Sequence, residues 1–151
     1  MKKIFNYTLL ALSLLAVNTT FSQETCDQIA EVTNGYLNTT KDKQLNRIFI
    51  SDGQVYRAFL NDDEAAEFEV TFYGGSTYRI ATSAGSDDTY IIFEVYDKER
   101  NLLFSNEDYE YAPYWDFEIA NSLDCTIEVK LDVDKKLSGC ASVMIGFAKQ
   151  N

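Results

Sequence analysis

The sequence predicts an all-β protein: an antiparallel β-sandwich of jelly-roll type, with about eight or nine strands and one short N-terminal helix. Three observations lead to this prediction. Apolar and polar residues alternate through most of the chain, turn signals separate the alternating runs, and no helical pattern lies between them. A parallel sheet is excluded because its crossover connections would need those helices. The 151 residues have room for one such domain.

The first predicted element is a signal peptide at residues 1–22. Lys2 and Lys3 precede an apolar run at 9–17, and small or polar residues follow it. We expect cleavage after Ser22 and no membrane anchor in the mature chain, since the apolar run is shorter than the ~20 residues that span a bilayer. The polar residues before Cys26 argue against a lipid anchor. The protein is therefore expected to be exported, either to the periplasm or out of the cell.

Residues 23–43 form the predicted N-terminal helical segment. Ile29, Val32 and Tyr36 fall on one helical face. Thr25 is a suitable N-cap residue, and Gly35 is a suitable residue to end the helix. The pattern predicts a short amphipathic helix ahead of the strands.

Residues 44–151 form the predicted sandwich, in which each strand follows from alternation. In AEFEVTFY, Phe68, Val70 and Phe72 point to one face, while Glu67 and Glu69 point to the other. The predicted strands are, in chain order, RIFI (47–50), QVYRAF (54–59), AEFEVTFY (66–73), YRIATS (78–83), YIIFEVYD (90–97), LLFSN (102–106), YWDFEIA (114–120), CTIEVKLDV (125–133) and ASVMIGFAK (141–149). The turn signals between them include Asp52-Gly53, Gly74-Gly75, Lys98 to Asn101 and Ser138-Gly139.

The three cysteines, Cys26, Cys125 and Cys140, allow one disulfide in an oxidising compartment. Alternation places Cys125 on the apolar face of its strand with Ile127. Cys140 falls on the opposite side of its strand from Ile145, which argues against joining it to Cys125. We therefore predict a structural bridge from Cys26 to Cys140, with Cys125–Cys140 as the alternative.

The composition restricts the chemistry. The chain has no histidine, and its 24 acidic and 13 basic residues give a net charge of −11. The missing imidazole excludes Ser/His/Asp triads, Cys/His dyads and histidine metal ligands. Nucleic acid is excluded as a partner because contact with phosphates needs a cationic patch. We expect a protein that is not an enzyme, since so many acids single out no carboxylate pair for glycosidase chemistry.

The segment EDYEYAPYWDF is the first candidate site. It places Tyr109, Tyr111, Tyr114 and Trp115 beside the one proline, Pro113. Alternation points Trp115 inward and Tyr114 outward, and it leaves the other tyrosines on the preceding loop. Exposed tyrosines stack on sugar rings or anchor protein partners, although aromatics also favour strands for packing alone. These four residues are the predicted ligand-binding residues, for a glycan or a protein.

Acidic turns are the second candidate. Asp62-Asp63 and Asp87-Asp88 lie in or near predicted turns. Carboxylates that converge at one end of a sandwich can bind calcium, which takes oxygen ligands, although no EF-hand spacing is present. The competing interpretation is that these are solvated loops. No cofactor other than calcium is expected.

Several segments also resemble a known family. EVTFYGGSTYRI, IIFEVYDKERNLLFSN and FEIANSLDCTIEVKLD are similar to bacterial pre-peptidase C-terminal (PPC-like) domains, which are small jelly-roll-like sandwiches with a polar D-x-x-x-N-L-L turn. The leader, the cysteine-bearing N-terminal segment and the final GCASVMIGF resemble small secreted proteins of Gram-negative bacteria. The resemblance covers about residues 61–149. It implies a sandwich and transfers no catalytic residue.

These observations predict a non-enzymatic binding module of the bacterial envelope or secretome, with a glycan or a protein as its ligand. The alternative is an accessory periplasmic protein that pairs with a protein partner through a sheet face or edge. The oligomeric state is left open.

Overall fold

A computed structural model describes residues 24–39 and 47–148. The predicted signal peptide and the junction between the predicted helical and sandwich segments lie outside the described residues. The helix is α1 (Cys26–Leu37). The strands are β1 (Phe49–Ser51), β2 (Tyr56–Leu60), β3 (Ala65–Phe72), β4 (Ser76–Ser83), β5 (Ile91–Asp97), β6 (Leu102–Ser105), β7 (Tyr114–Ile119), β8 (Leu123–Leu131) and β9 (Gly139–Ala148). Two short 3-10 turns are Asp88–Tyr90 and Asn106–Tyr109.

The strands form two antiparallel sheets that pack face to face, so the predicted all-β sandwich is confirmed. The covered sheet has the order β1-β9-β4-β7, and β2 lies beside the other half of the same edge of β9. The open sheet has the order β3-β8-β5-β6. Among the described residues, the edges of the covered sheet are β7 on one side and β1 with β2 on the other, and the edges of the open sheet are β3 and β6.

Every predicted strand is present, and the helix differs from its prediction at one end. Thr25 caps α1 as expected, with Gln28 completing a reciprocal capping box. Gly35 does not end the helix, which continues to Leu37 and has Asn38 as its C-cap. The side chain of Leu37 is fully buried. Packing against the sheet therefore extends the helix beyond the position that local propensity favours.

The main core lies between the sheets and follows the alternation. On β8 the buried residues are Cys125, Ile127, Val129 and Leu131, so Cys125 points inward as predicted. The largest fully buried side chains of this core are Phe72, Ile80, Ile91, Phe93, Ile127, Val129 and Val143.

A smaller core lies on the outer face of the covered sheet, beneath α1. It contains Ala30 and Leu37 of the helix and Ala81 and Met144 of the strands. The helix contacts β4 and β9, which removes these apolar side chains from water. None of the helices in the described part of the chain is long and apolar enough to cross a membrane.

Arg79, on the outer face of β4, fixes the end of α1 to the sheet. It is 5% exposed, and its guanidinium donates two hydrogen bonds to Asp116, at 2.6 and 2.9 Å. It also donates to the carbonyl oxygens of Tyr36, Leu37 and Thr39, at 3.3, 3.3 and 2.6 Å. Carbonyl groups at a helix C-terminus lack partners within the helix and carry partial negative charge. The buried guanidinium of Arg79 thus provides hydrogen-bond donors for both the Asp116 carboxylate and the carbonyl groups at the end of α1.

Two aromatic rings and a disulfide complete this cover. The guanidinium of Arg79 lies over the rings of Phe49 and Tyr114, at 4.1 and 4.4 Å from their centroids. At the other end of the helix, Cys26 is bonded to Cys140 of β9, with a Cα–Cα distance of 5.4 Å. The predicted pairing is therefore confirmed, and the alternative with Cys125 is wrong because Cys125 is inside the main core.

Candidate functional site

The most prominent aromatic cluster closes one side of the sandwich, where β6 ends the open sheet and β7 ends the covered sheet. We call this cluster the aromatic edge and define it as Phe104, Tyr109, Trp115 and Phe117. The ring of Phe104 is at its centre, with centroids of Tyr109, Trp115 and Phe117 at 5.3, 5.2 and 5.1 Å. Tyr109 and Trp115 lie 4.3 Å apart. Rings from both sheets therefore meet where no strand pairing joins the sheets.

A buried asparagine holds Tyr109 in this position. The side chain of Asn106 accepts a hydrogen bond from the Phe93 amide, at 2.9 Å, and donates to the carbonyl oxygen of Ile91, at 3.1 Å. The loop then reverses through Glu110 and Tyr111, both of which have left-handed backbone angles with φ of 56°. That conformation is costly for residues other than glycine and persists where surrounding contacts impose it. Sequence reasoning missed Asn106, whose only signal is a polar residue directly after a strand.

The aromatic edge is open to solvent at Tyr109, whereas Phe104 at its centre is buried. Tyr109 is 47% exposed although it stacks on Phe104. Next to it, on β6, Leu102 and Leu103 are 51% and 49% exposed. Leu102 is paired with Tyr96 and so lies on the outer face of the open sheet, whereas Tyr109 stacks on the inward-facing Phe104. Apolar residues exposed along one sheet edge are typical of a binding surface. The leucines were not among the predicted site residues, because alternation assigned them to a short strand.

The four predicted aromatic residues do not form one group. Tyr109 and Trp115 lie together at the aromatic edge. Tyr114 points away from the main core, as predicted, but it packs beneath the helix, with its ring 6.5 Å from that of Tyr36. Tyr111 lies apart, with the ammonium of Lys135 3.7 Å from its ring centroid. Tyr114 and Trp115 are separated because neighbouring residues of β7 point to opposite faces of the covered sheet.

Two of the four predicted acidic residues, Asp87 and Asp88, accept hydrogen bonds from other residues of the chain. Asp87 accepts hydrogen bonds from the amide and hydroxyl of Thr89, which lower its pKa below the usual value. Asp88 accepts a hydrogen bond from the hydroxyl of Tyr36. Asp62 and Asp63 lie in the β2–β3 turn. Across residues 24–39 and 47–148, no three Cys, Asp or Glu side chains are grouped so as to hold a metal ion. The calcium site stays a prediction.

The outer face of the open sheet carries a group of acidic and basic side chains. Glu67, Glu128 and Glu94 lie directly opposite one another on β3, β8 and β5. We call these three residues the acidic row. Arg100 bridges Glu67 and Glu128, at 3.0 and 2.9 Å, and Lys130 lies 3.0 Å from Glu94. Basic side chains thus relieve the repulsion that like charges have at opposed positions.

Tyr96 adds a hydrogen bond to this surface. Its hydroxyl donates to Glu94 at 2.9 Å, and its ring lies 4.5 Å below the guanidinium of Arg100. Burial and the contact with Glu94 raise the pKa of Tyr96 to about 12. The hydroxyl therefore stays protonated and able to donate at any physiological pH.

Cys125, the cysteine outside the disulfide, has a thiol of low reactivity. Cys125 is buried, and burial together with the charges of Asp124 and Asp97 raises the pKa of its thiol to about 11. A thiol reacts as its thiolate, so this group is a poor nucleophile at neutral pH.

Comparison with solved structures gives distant neighbours, among them a periplasmic inhibitor. No protein-family model matches the chain, and no curated protein is significantly similar to it. The crystal structure of PliG from Aeromonas hydrophila, a periplasmic inhibitor of g-type lysozyme, aligns with a TM-score of 0.49 and 12% identity, over 62% of this chain and 84% of PliG. A likeness this distant carries no argument about function. The resemblance to pre-peptidase C-terminal domains stays a prediction.

Proposed function

We propose that this protein is a non-enzymatic module that works outside the cytoplasm and binds a protein partner through the aromatic edge. The observation that carries the proposal is the exposure of Tyr109, Leu102 and Leu103 along the edge where the rings of Tyr109 and Trp115 meet. Tyrosine and tryptophan are the residues that most often dominate the energy of protein interfaces. Flanking leucines exclude water around such anchors.

The surroundings of Tyr109 favour a protein over a glycan. A sugar ring stacks on an aromatic face and needs polar side chains at its rim for its hydroxyl groups. The exposed residues next to Tyr109 in the chain are Glu107, Asp108 and Glu110, and those on β6 are Leu102 and Leu103. Together they match the basic and apolar side chains of a protein surface. Burying two leucines and a tyrosine gives a hydrophobic contribution that a polar ligand does not obtain.

The chemistry of the chain supports a binding role. The sequence contains no histidine, and the Cys125 thiol is buried with a raised pKa. General-base and thiol catalysis therefore lack their usual groups.

The disulfide supports export. The bond between Cys26 and Cys140 is of the kind that persists in oxidising compartments such as the periplasm. It agrees with the predicted leader at residues 1–22, which lies outside the described residues.

Site-specific photo-crosslinking in the exporting cell tests the proposal. We expect a photoreactive residue at position 103 to give one discrete protein adduct, and the same residue at Leu137 to give none. Leu137 is the matched control because it is 63% exposed and lies on the β8–β9 loop. Tyr109→Ala should reduce the yield of the adduct by about tenfold, as expected for loss of an interface anchor.

Two results would contradict the proposal. The first is an equal yield of adducts from positions 103 and 137, which would indicate unspecific contact. The second is a saturable change in the fluorescence of Trp115 with soluble glycans, since this single tryptophan lies within the aromatic edge.

A further inference from the structure

The second end strand of the open sheet, β3, has properties that the aromatic edge lacks. It is eight residues long, Ala65–Phe72, and pairs with β8 over its full length without a shift in register. β6 has four residues, and the register of its pairing shifts between Val95 and Tyr96. Short strands and bulges protect a sheet edge from further pairing. β6 has both protections and β3 has neither.

The backbone of β3 is available on its outer side. All strand pairing of β3 is with β8, and the β2–β3 turn carries the chain across to the covered sheet. Phe68 and Val70 point inward but are only partly buried. A further strand placed beside β3 would complete their burial as well as the hydrogen bonding of the edge.

The charges on this edge specify the type of strand that fits. Glu67 and Glu69 lie on the outer face of β3. The carboxylate of Glu67 is paired with Arg100, whereas the side chain of Glu69 makes no ion pair or hydrogen bond within the described ranges. Glu69 borders an open groove of about 530 Å³ that also includes Thr71, Lys98 and Asp124.

The protein's own basic residues show how that groove is used. Lys98 reaches over the outer face from the β5–β6 turn and places its ammonium 2.6 Å from Asp124. Arg100, from the same turn, reaches Glu67 and Glu128. Glu69 is thus the acid that the internal cations leave uncompensated.

A second copy of this chain does not fit the edge. Antiparallel pairing of β3 with itself has two registers of fullest overlap that keep like faces together. One places Glu67 opposite Glu69 of the second copy, and the other places Glu69 opposite itself. Like charges directly opposite across strands are destabilising. The edge therefore disfavours self-pairing while leaving room for a strand of opposite charge.

We infer that β3 is an acceptor for an extended segment of a partner polypeptide that carries lysine or arginine at alternate positions. The partner adds a strand to the open sheet by backbone hydrogen bonds. Its basic side chains lie on the outer face beside Glu69, and its intervening apolar side chains cover Phe68 and Val70. This surface is separate from the aromatic edge, which lies at the opposite end strand of the same sheet.

Amide hydrogen exchange with a synthetic peptide tests this inference on the folded, oxidised protein. The probe is an acetylated and amidated eight-residue peptide that alternates lysine and valine. We expect it to slow exchange of alternate amides in 65–72 and to leave the amides of β6 unchanged. A peptide of the same composition with its lysines and valines in two blocks should have no such effect, because it cannot present one charged face.

Two charge-reversed variants make the result specific. Glu69→Lys should weaken binding of the lysine–valine peptide by about tenfold, and it should allow a glutamate–valine peptide to protect β3 instead. Glu31→Lys, on the exposed side of α1, makes the same change in net charge and should leave binding unchanged. Equal weakening in both variants would overturn the inference by showing general electrostatic attraction. Protection of β6, or of no amides, would overturn it as well.

These outcomes are independent of the proposed function. An adduct at position 103 reports on β6, whereas the exchange experiment reports on β3. Either surface can fail its test while the other passes.

Discussion

The two outer faces of this sandwich differ in how their charged side chains are compensated. On the covered sheet, α1 and Arg79 exclude water, so that the buried guanidinium is matched by a carboxylate and three carbonyl oxygens. On the open sheet, which α1 does not cover, Glu67 of the acidic row is exposed, Glu94 and Glu128 are largely buried, and Arg100 and Lys130 balance the row. Charges that leave water need complete compensation, whereas surface charges need little. The covered face thus contributes stability, and the open face is free to present charge to a partner.

Removing the disulfide should break this contrast most strongly, because it releases α1 from the covered sheet. The bond joins residues 114 positions apart, for which the chain-entropy model gives a contribution of roughly 4 to 5 kcal/mol. We expect the double variant Cys26→Ser, Cys140→Ser to unfold at much lower urea concentration than the native protein.

Cys125→Ser is the matched control, since it removes a cysteine and keeps the bond. It should cost about 1 to 3 kcal/mol, because it buries a hydroxyl in the main core. If the double variant proved as stable as the Cys125 variant, the disulfide would not be what secures the helix.

Replacing a buried arginine and an exposed one compares the faces directly. Arg79→Leu should destabilise the protein by about 3 kcal/mol in urea unfolding, because it leaves Asp116 and the helix carbonyl groups without their cation. Arg100→Leu should produce a much smaller change that diminishes further in high salt, since the Arg100 side chain is half exposed and its partner Glu67 is exposed as well. Equal losses for the two variants would show that the open sheet depends on its charges as much as the covered sheet does.

The smallest expected effect appears only in alkali. Burial, followed by the hydrogen bond to Asp88, raises the pKa of Tyr36 from 10.0 to about 12. Between these values the unfolded chain loses the phenolic proton and the folded protein keeps it. Stability should therefore be fully present below pH 10 and decrease as pH rises from 10 towards 12.

Tyr36→Phe removes this group and should flatten the decrease, as measured by urea unfolding at several alkaline pH values. Tyr96→Phe does the same on the open sheet, where the pKa is also raised to about 12. A slope that neither variant changes would mean that other groups cause alkaline unfolding.

Alternation was sufficient to predict the strands and the faces of the sheets, because a side chain's direction along a strand is a local property. It also favoured the correct disulfide, since Cys125 and Cys140 occupy opposite faces of their sheets. Arg79 shows where this reasoning ends. It falls at an outward position, which predicts a solvated charge, and its burial depends on where the helix lies.

The surfaces that support the proposals depend on non-local geometry in the same way. The acidic row arises from the register between strands that are distant in sequence. The exposed edge of β3 follows from sheet order, which one sequence does not specify. Tyr109 and Trp115 were predicted within a group of four aromatic residues because all four are near in sequence, and the structure brings only these two together. Leu102, Leu103 and Asn106 were missed because the exposure of the leucines and the burial of Asn106 depend on how β6 and the following loop lie against the other strands.

If the chain is exported as proposed, the disulfide also sets an order of events. A chain that crosses a membrane from its N-terminus presents Cys26 long before Cys140, which lies near the end of the sequence. Cys125 emerges first of the two later cysteines, and pairing with it would trap the wrong bond. Burial of Cys125 by β8 removes that competitor once the open sheet forms. Cys26 can form its bond only after β9 is present, so β9, the last strand of the described residues, completes the cover.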